Sequence, residues 1–365
     1  MQFLAILLFI VLAVWAFLEF NPQFGGKLNS GLLKRFSQSP QWTGKIFENQ
    51  SKTSLDMNFN TIVDLIQKQF TDREVRSPQQ PLPVIPFDAE AFNKDSSKPK
   101  FIWYGHSVLL LQLNGKNLLI DPMLGPNAAP ISPFPVKRFS ESTLDIIDQL
   151  PHIDMVLMTH DHYDHLDYAS INLLKEKVDT WFVALGVARH LEAWGIPSPS
   201  ITEFDWWHSK EFGNIDITFT PSRHFSGRGL TDRSKCLWGG WVFKTADHSI
   251  YWSGDSGYDE HFKEVGEQLG PFDWGFMECG QYNEYWHEIH MYPEEAVQAS
   301  IDAGVKVSIP VHWGGFPLAL HTWQDPIERF TAEAKEKEQA ISTPQIGEVV
   351  TLGEEPTEAW WADLN

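Results

Sequence analysis

The residues best suited to chemistry lie in the segment 155–167, MVLMTHDHYDHLD. An apolar strand ends at Thr159, and His160 and His162 follow with one residue between them. In extended geometry both imidazoles point to one side, so both can reach one ion. Asp164 and His165 come next, where the chain turns toward a helix, and face a second position nearby. Imidazole and carboxylate without thiolate suit a borderline divalent ion such as zinc. Three further segments repeat the pattern of an apolar strand that delivers one ligand-type residue at its end. His224 closes IDITFTPSRH, Asp255 closes SIYWSGD and His312 closes VKVSIPVH. Taken singly, these have plain readings as a cap, an Asx turn and a core histidine. Taken together with the first cluster they supply seven N/O ligands, about what two ions need if one carboxylate bridges and water completes the shells.

Such a site needs a rigid frame, because sites are built on loops at the ends of sheet strands. FIWYG, VLLLQL, KNLLI, DMVLMT, WFVAL, IDITFT, WGGWVF, SIYWSG and VKVSIPV read as strands. Helix-like stretches cover 144–149, 168–177, 188–194, 259–269 and 293–303, the last opening with Pro-Glu-Glu. Many strands with interspersed helices predict a mixed-sheet α+β architecture. No internal repeat is present.

The metal motif resembles the signature of the metallo-β-lactamase superfamily, which implies an αββα sandwich: two sheets face to face, helices outside, metals at one edge. A more specific likeness runs through residues 100–320. WYGHSVLLLQLNGKNLLIDP, HYDHLDY, DWW (205–207), LWGGW, GDSGY, GPFDWGF, HMYPEEAV and VHWGGF are similar to segments of the N-acylphosphatidylethanolamine phospholipase D family. The resemblance implies that His160, His162 and His224 hold one zinc ion, that Asp164, His165 and His312 hold a second, and that Asp255 bridges them; manganese or iron are alternatives. Asp121, before Pro122, matches the carboxylate that orients ligand imidazoles, as metal-bound histidine requires. His106 in YGHS matches a family position close to the site. His290 falls where the family has a histidine near the substrate phosphate and is the candidate proton carrier. His321 is a candidate substrate contact. His152, His190, His208, His248, His261 and His287 read as surface or structural residues.

The implied activity is hydrolysis of an N-acylphosphatidylethanolamine-like phospholipid by a metal-bridging hydroxide. Asp164 and Asp255 would steer the hydroxide, and His290 would assist the leaving oxygen. The rival readings are a lactonase or sugar-phosphate hydrolase of the same fold, and a non-catalytic envelope protein that keeps a metal site. PQFGG, SPQW and GKIFEN resemble bacterial envelope-associated relatives, whose substrate the resemblance does not specify.

Charge separates the chain into two parts. Its 365 residues carry 28 Lys+Arg against 48 Asp+Glu, a net −20. Residues 1–100 hold 11 basic and 9 acidic side chains, so the excess of acid belongs to the remainder. An acidic catalytic part repels phosphate backbones and excludes sequence-blind nucleic-acid binding. The two cysteines, Cys236 and Cys279, exclude a disulfide framework and a cysteine-rich zinc module.

Phe3 to Leu18 is an unbroken apolar run, longer than a typical signal core and just short of a comfortable span. The expectation is an uncleaved single-pass anchor over 1–20, with a cleaved signal and envelope location as the competitor and a buried helix as the plain alternative. Lys27, Lys34, Arg35 and Lys45 favour a cytoplasmic catalytic domain, or rest on anionic headgroups. The expected order is then an arm over 21–97, a metallo-β-lactamase-fold catalytic domain over 98–352 and a loose acidic tail over 353–365. The oligomeric state is left open.

Overall fold

A computed structural model of the chain describes residues 2–55, 58, 61, 63–65, 67–68, 75–129 and 135–364. Parts of the expected arm and the residues 130–134 lie outside the described residues.

Two seven-stranded mixed sheets form the frame. The first contains β1 (Lys100–Trp103), β2 (Leu109–Leu113), β3 (Lys116–Ile120), β4 (Met155–Met158), β5 (Trp181–Ala184), β6 (Ile201–Phe204) and β14 (Val349–Thr351). Its order is β14-β1-β2-β3-β4-β5-β6. The second contains β7 (Ser209–Phe212), β8 (Ile215–Thr220), β9 (Gly240–Lys244), β10 (Ser249–Trp252), β11 (Phe272–Glu278), β12 (Val305–Val311) and β13 (Ala340–Ile341), in the order β13-β12-β11-β10-β9-β8-β7. Strands β3 to β6 run parallel, as do β10 to β13, and the hairpins β2–β3 and β7–β8 are antiparallel.

Composition explains the layering. The central strands β1, β2, β4 and β5 are buried at every position, as strands covered on both faces must be. Phe101 of the first sheet meets Trp274 and Phe276 of the second edge to face at 4.9 Å, which ties the two sheets together. Outside the second sheet, the helix Pro293–Asp302 lies on β11 and β12 between the helices His261–Leu269 and Asp325–Glu336. Its Pro at the first turn and Glu295, which accepts from the Tyr292 N–H, set where it starts.

The nine strands expected from sequence all form. Strands β6, β7, β11, β13 and β14 were not expected. β6 and β7 are partly exposed or exposed over most of their length and lack a strong apolar run. β11 is interrupted in sequence by Asp273 and Gly275.

The segment expected as an arm forms the helices Ser30–Phe36 and Ala89–Asn93, each started by a side-chain cap, from Asn29 and Asp88. Phe36, Phe47 and Phe92 are buried with the main core. The tail is packed where looseness was expected: Trp361 is buried, Trp360 stacks on Trp313 at 5.5 Å, and Gln324 donates to the Trp361 carbonyl.

The expected membrane anchor needs correction. The helix Gln2–Phe20 forms, with Leu4, Phe9 and Phe20 exposed. Among the described residues, however, no helix is long and apolar enough to cross a membrane. At 1.5 Å per residue, the apolar run from Phe3 to Leu18 extends about 24 Å, short of the ~30 Å hydrocarbon layer. The single-pass localisation built on that anchor falls with it.

Candidate metal centre

One edge of the sandwich collects the strand ends. Asp121 follows β3, His160 and His162 follow β4, His224 follows β8, Asp255 follows β10, Glu278 ends β11 and His312 follows β12. His106 lies in the turn between β1 and β2. Three of these residues, His106, Asp121 and His312, have left-handed backbones at φ 54°, 43° and 66°. Non-glycine residues are held there only when their surroundings over-determine them.

The seven expected ligands are brought together in two groups that meet at Asp255. In the first, the facing ring nitrogens of His160 (Nε2) and His162 (Nδ1) are 2.9 Å apart, and His224 Nε2 is 3.1 Å from His162 Nδ1. Asp255 Oδ2 lies 3.8 Å from His160 Nε2 and 3.7 Å from His224 Nε2. In the second group, His165 Nε2 and His312 Nε2 lie 3.0 and 3.3 Å from the same oxygen. Asp164 Oδ2 lies 3.3 Å from His312 Nε2 and 3.7 Å from His165 Nε2.

The far side of several rings is already in use. His224 Nδ1–H donates to the Ile289 carbonyl at 2.9 Å, and His165 Nδ1–H donates to Asp121 at 2.9 Å. His224 therefore turns a bare Nε2 lone pair inward, and His165 does so once its Nε2 proton is displaced. Asp121 also accepts from the Thr159 N–H and hydroxyl at 2.8 and 2.6 Å, which fixes the start of the His-x-His segment. His106, fully buried, places Nε2 2.9 Å from Asp164, and burial takes its imidazole down to about 3.

The electrostatics suit the same use. Burial holds His160 and His224 well below their ordinary value and His162 down to about 4, so these rings stay neutral. Burial acts to raise the Asp164 and Asp255 carboxyls, but His165 and the neighbouring imidazoles outweigh it and hold both well below the carboxylate range. His165 is the exception: Asp255, Asp164 and Asp121 overcome its burial and raise it. Neutral imidazoles and ionised carboxylates converging within 4.8 Å are a donor set for a cation.

A cavity of about 340 Å³ opens over these groups, with His162, Asp164, Asp255 and His312 at one end and Leu55, Phe225, Trp286 and Leu318 around it. His290 faces this cavity. Its Nδ1 bonds Glu278, a buried carboxylate that sequence reasoning did not single out. Burial and the nearby Asp255 push the Glu278 carboxyl well above its ordinary value, and burial pulls the His290 imidazole down. Glu278 closes a strand just as the expected ligands do, a signal hidden because β11 itself went unread. At the rim, the Arg233 guanidinium lies 3.8 Å over the Phe225 ring. His321 does not line the cavity. Its Nε2 accepts from the Gln281 N–H at 2.8 Å, and its Nδ1–H donates to the Thr322 carbonyl at 2.8 Å. It thus supports Gln281, which does line the cavity.

Residues ahead of β1 also build the site. Asn49 grips the ligand-bearing loop from both sides, donating to the His224 carbonyl at 2.9 Å and accepting its N–H at 3.1 Å.

A two-sheet sandwich with an imidazole and carboxylate cluster at one edge defines the metallo-β-lactamase class of hydrolases. Residues 116–313 match the Beta-lactamase superfamily domain, and the chain belongs to that family. It is similar to an uncharacterized protein of Mycobacterium tuberculosis, 35% identical over 89% of this chain and 88% of that one. It is also similar to the N-acyl-phosphatidylethanolamine-hydrolyzing phospholipase D 1 of Caenorhabditis elegans, 31% identical over 85% of this chain and 93% of that one. Among solved structures, the metallo hydrolase Igni18 of Ignicoccus hospitalis shares the fold at a TM-score of 0.55 and 21% identity, over 70% of this chain and 98% of that one. The protein is a metal-dependent hydrolase of this superfamily.

Proposed function

We propose that the protein is a phosphodiesterase of phospholipase D type, acting on an N-acylphosphatidylethanolamine-like phospholipid with two zinc ions. The observation that carries this reading is the 31% identity to the worm phospholipase D, which extends over nearly all of that enzyme. The cavity supports it, with an apolar wall of Leu55, Phe225, Trp286, Ile289 and Leu318 beside the charged cluster.

In this reading residues 98–352 are the catalytic domain. His160, His162 and His224 would hold one ion, Asp164, His165 and His312 the other, and Asp255 would contribute to both. Such a pair of ions, when bound, makes a water acidic enough to deprotonate near neutrality and offsets charge on the reacting group. The chain does the rest. Asp121 and Thr159 keep the first histidines in register, and Asp164, braced by His106, directs the attacking water. The apolar wall excludes bulk water around the acyl part of the substrate, and Arg233 supplies a cation at the rim of an otherwise acidic domain. His290 stands ready to protonate the alkoxide that leaves phosphorus.

The test is product analysis on N-acylphosphatidylethanolamine in mixed micelles, with a simple lactone alongside. Release of phosphatidic acid that stops on adding chelator is expected. Lactone turnover with no lipid cleavage would instead favour a lactonase of the same fold.

A further inference from the structure

Glu278 is a buried acidic side chain at the site that metal binding, as proposed above, leaves without a role. Its side chain is 1% exposed, and four hydrogen-bond contacts converge on the carboxylate, with His312 Nδ1 a further 4.0 Å from Oε2. Oε2 accepts from the Ser256 N–H at 2.9 Å, and Oε1 accepts from the Met291 N–H at 3.2 Å. His290 Nδ1 lies 2.9 Å from Oε1 and 3.1 Å from Oε2, a nearly symmetric approach to both oxygens. The backbone donors come from the residue after Asp255 and the residue after His290. One carboxylate therefore spans the loop of the shared ligand and the loop of the candidate proton carrier.

The His290 ring is held on its faces as well. It lies parallel to His312, at 10° and 5.3 Å, and edge to face with His224 at 4.9 Å. With Nδ1 bound to Glu278 and the ring clamped between two ligand histidines, Nε2 is the one polar atom left to meet a substrate. Among the described residues it has no protein partner, and His290 lines the cavity with Asp164, Asp255 and His312.

We propose that Glu278 is a positioning residue that acts through His290, forming a Glu–His pair whose Nε2–H is presented to the leaving oxygen of the substrate. This rests on the phosphodiesterase reading of the site. The oxygen of water bonds to phosphorus while the ester P–O bond breaks, and the bonding pair leaves on the ester oxygen. That oxygen takes the proton from His290 Nε2, and Nδ1–H remains bonded to Glu278. The proton lost by the attacking water restores Nε2–H by way of solvent, so the net change is the addition of one water across the P–O bond. Cations held by Asp255 would offset the charge that, besides burial, raises Glu278, and an ionised Glu278 behind the imidazole then stabilises the ring while it carries both protons, as an apolar neighbour would not. The substrates that need the pair are esters of unactivated alcohols, because an alkoxide leaves poorly without a proton.

The experiment uses the full-length, zinc-loaded protein and two probes: N-acylphosphatidylethanolamine in mixed micelles, with an alkoxide leaving group, and bis(4-nitrophenyl) phosphate, whose leaving group needs no proton. Glu278→Gln and His290→Gln should each lose on the order of a hundredfold in kcat on the lipid, and at least ten times less on the nitrophenyl ester. The double variant should be no slower than either single one, the signature of two residues that work as a unit. Proton spectra of ¹⁵N-histidine-labelled protein should show a strongly downfield Nδ1–H on His290 that disappears in Glu278→Gln.

Equal losses on both probes with two zinc ions retained, or multiplying losses in the double variant, would overturn the proposal. If Glu278→Gln loses zinc, His290→Gln carries the leaving-group comparison, and an equal loss on both probes there overturns it too. If the wild-type protein cleaves neither ester, the phosphodiesterase reading fails on its own, and the Nδ1–H resonance decides whether the pair exists. Its absence from the wild-type protein overturns the pair.

Discussion

Two clusters of metal-ligand residue types sit back to back in this protein, and they use their donors in opposite ways. His160 and His162 turn toward His224 and Asp255. Asp161, the residue between them, turns the other way, into the interior, where it meets His190 and Cys236 within 4.8 Å. By residue type this inner group is as good a metal set as the outer one. Its geometry is not. His190 Nδ1 accepts the Gly26 N–H at 3.1 Å, so the ring proton is on Nε2, where it is donated to Asp161 at 3.2 Å. Asp161 also accepts the Gly227 N–H at 2.7 Å and lies 3.7 Å from Arg189. Burial pushes the Cys236 thiol well above its ordinary value, which keeps it protonated. Every donor in the inner group faces a protein partner, whereas in the outer group ring nitrogens and carboxylate oxygens converge on one another. Whether donors are already satisfied, rather than which residues are near, separates a metal site from a structural knot.

The widest test of this contrast is to remove an outer ligand. His160→Ala or Asp255→Asn should reduce the bound metal below two ions per chain and lower turnover by about a thousandfold or more, measured by elemental analysis and steady-state rates. Inner-group substitution should act on folding instead. His190→Leu leaves Asp161 short of a partner and should cost about 3–5 kcal/mol of stability in denaturant titrations, with the metal count unchanged; a lost ion would break the distinction. Asp121→Asn, which touches the outer group only through Thr159 and His165, should weaken metal affinity by roughly 10–100-fold in competition with a chelator.

Acid should reach the inner group through Asp161. Burial acts to raise its carboxyl, but the His190 hydrogen bond and the charges around it hold it well below 3.8. Because the folded carboxyl is depressed, its stabilisation is complete above the unfolded value and is lost as the pH falls below about 3.8. Metal-free Asp161→Asn should accordingly lose less stability between about pH 4 and pH 2 than the metal-free parent does. The smallest effect belongs to Cys236→Ser: under about 1 kcal/mol, with no change in bound metal.

Much of the outer group was legible because strand-end ligands announce themselves. An apolar run followed by His or Asp needs no tertiary information to be noticed, and the seven positions converge as their spacing implies. Glu278 escaped because Asp273 and Gly275 break the apolar run of its strand, and pairing with β10 and β12 decides that strand. Arg233 and Asn49 carry no local pattern, since their partners are fixed by packing alone. The same limit applied to the tail, where an acidic composition hid two tryptophans that seat against Trp313. At the other terminus the error was one of length, a run of apolar residues taken as a span although about 24 Å falls short of the ~30 Å layer. The glycines of PQFGG have a local reason that sequence could not supply: a Cβ on Gly26 would lie 2.0 Å from the Arg189 carbonyl oxygen, and one on Gly25 would strike His190.

Asn49 and the loop it grips are 175 residues apart, and Ser54 and Glu288, which also bond, are 234 apart. On a ribosome the segment carrying Asn49 must wait, its aromatic side chains unsheltered, until nearly half of the chain has followed it. Closure of the ligand loop is then a late event in the birth of the protein. An ion that arrived with the first histidines would meet half a binding site, and the loop that carries His224 would be gripped only once Asn49 had found it.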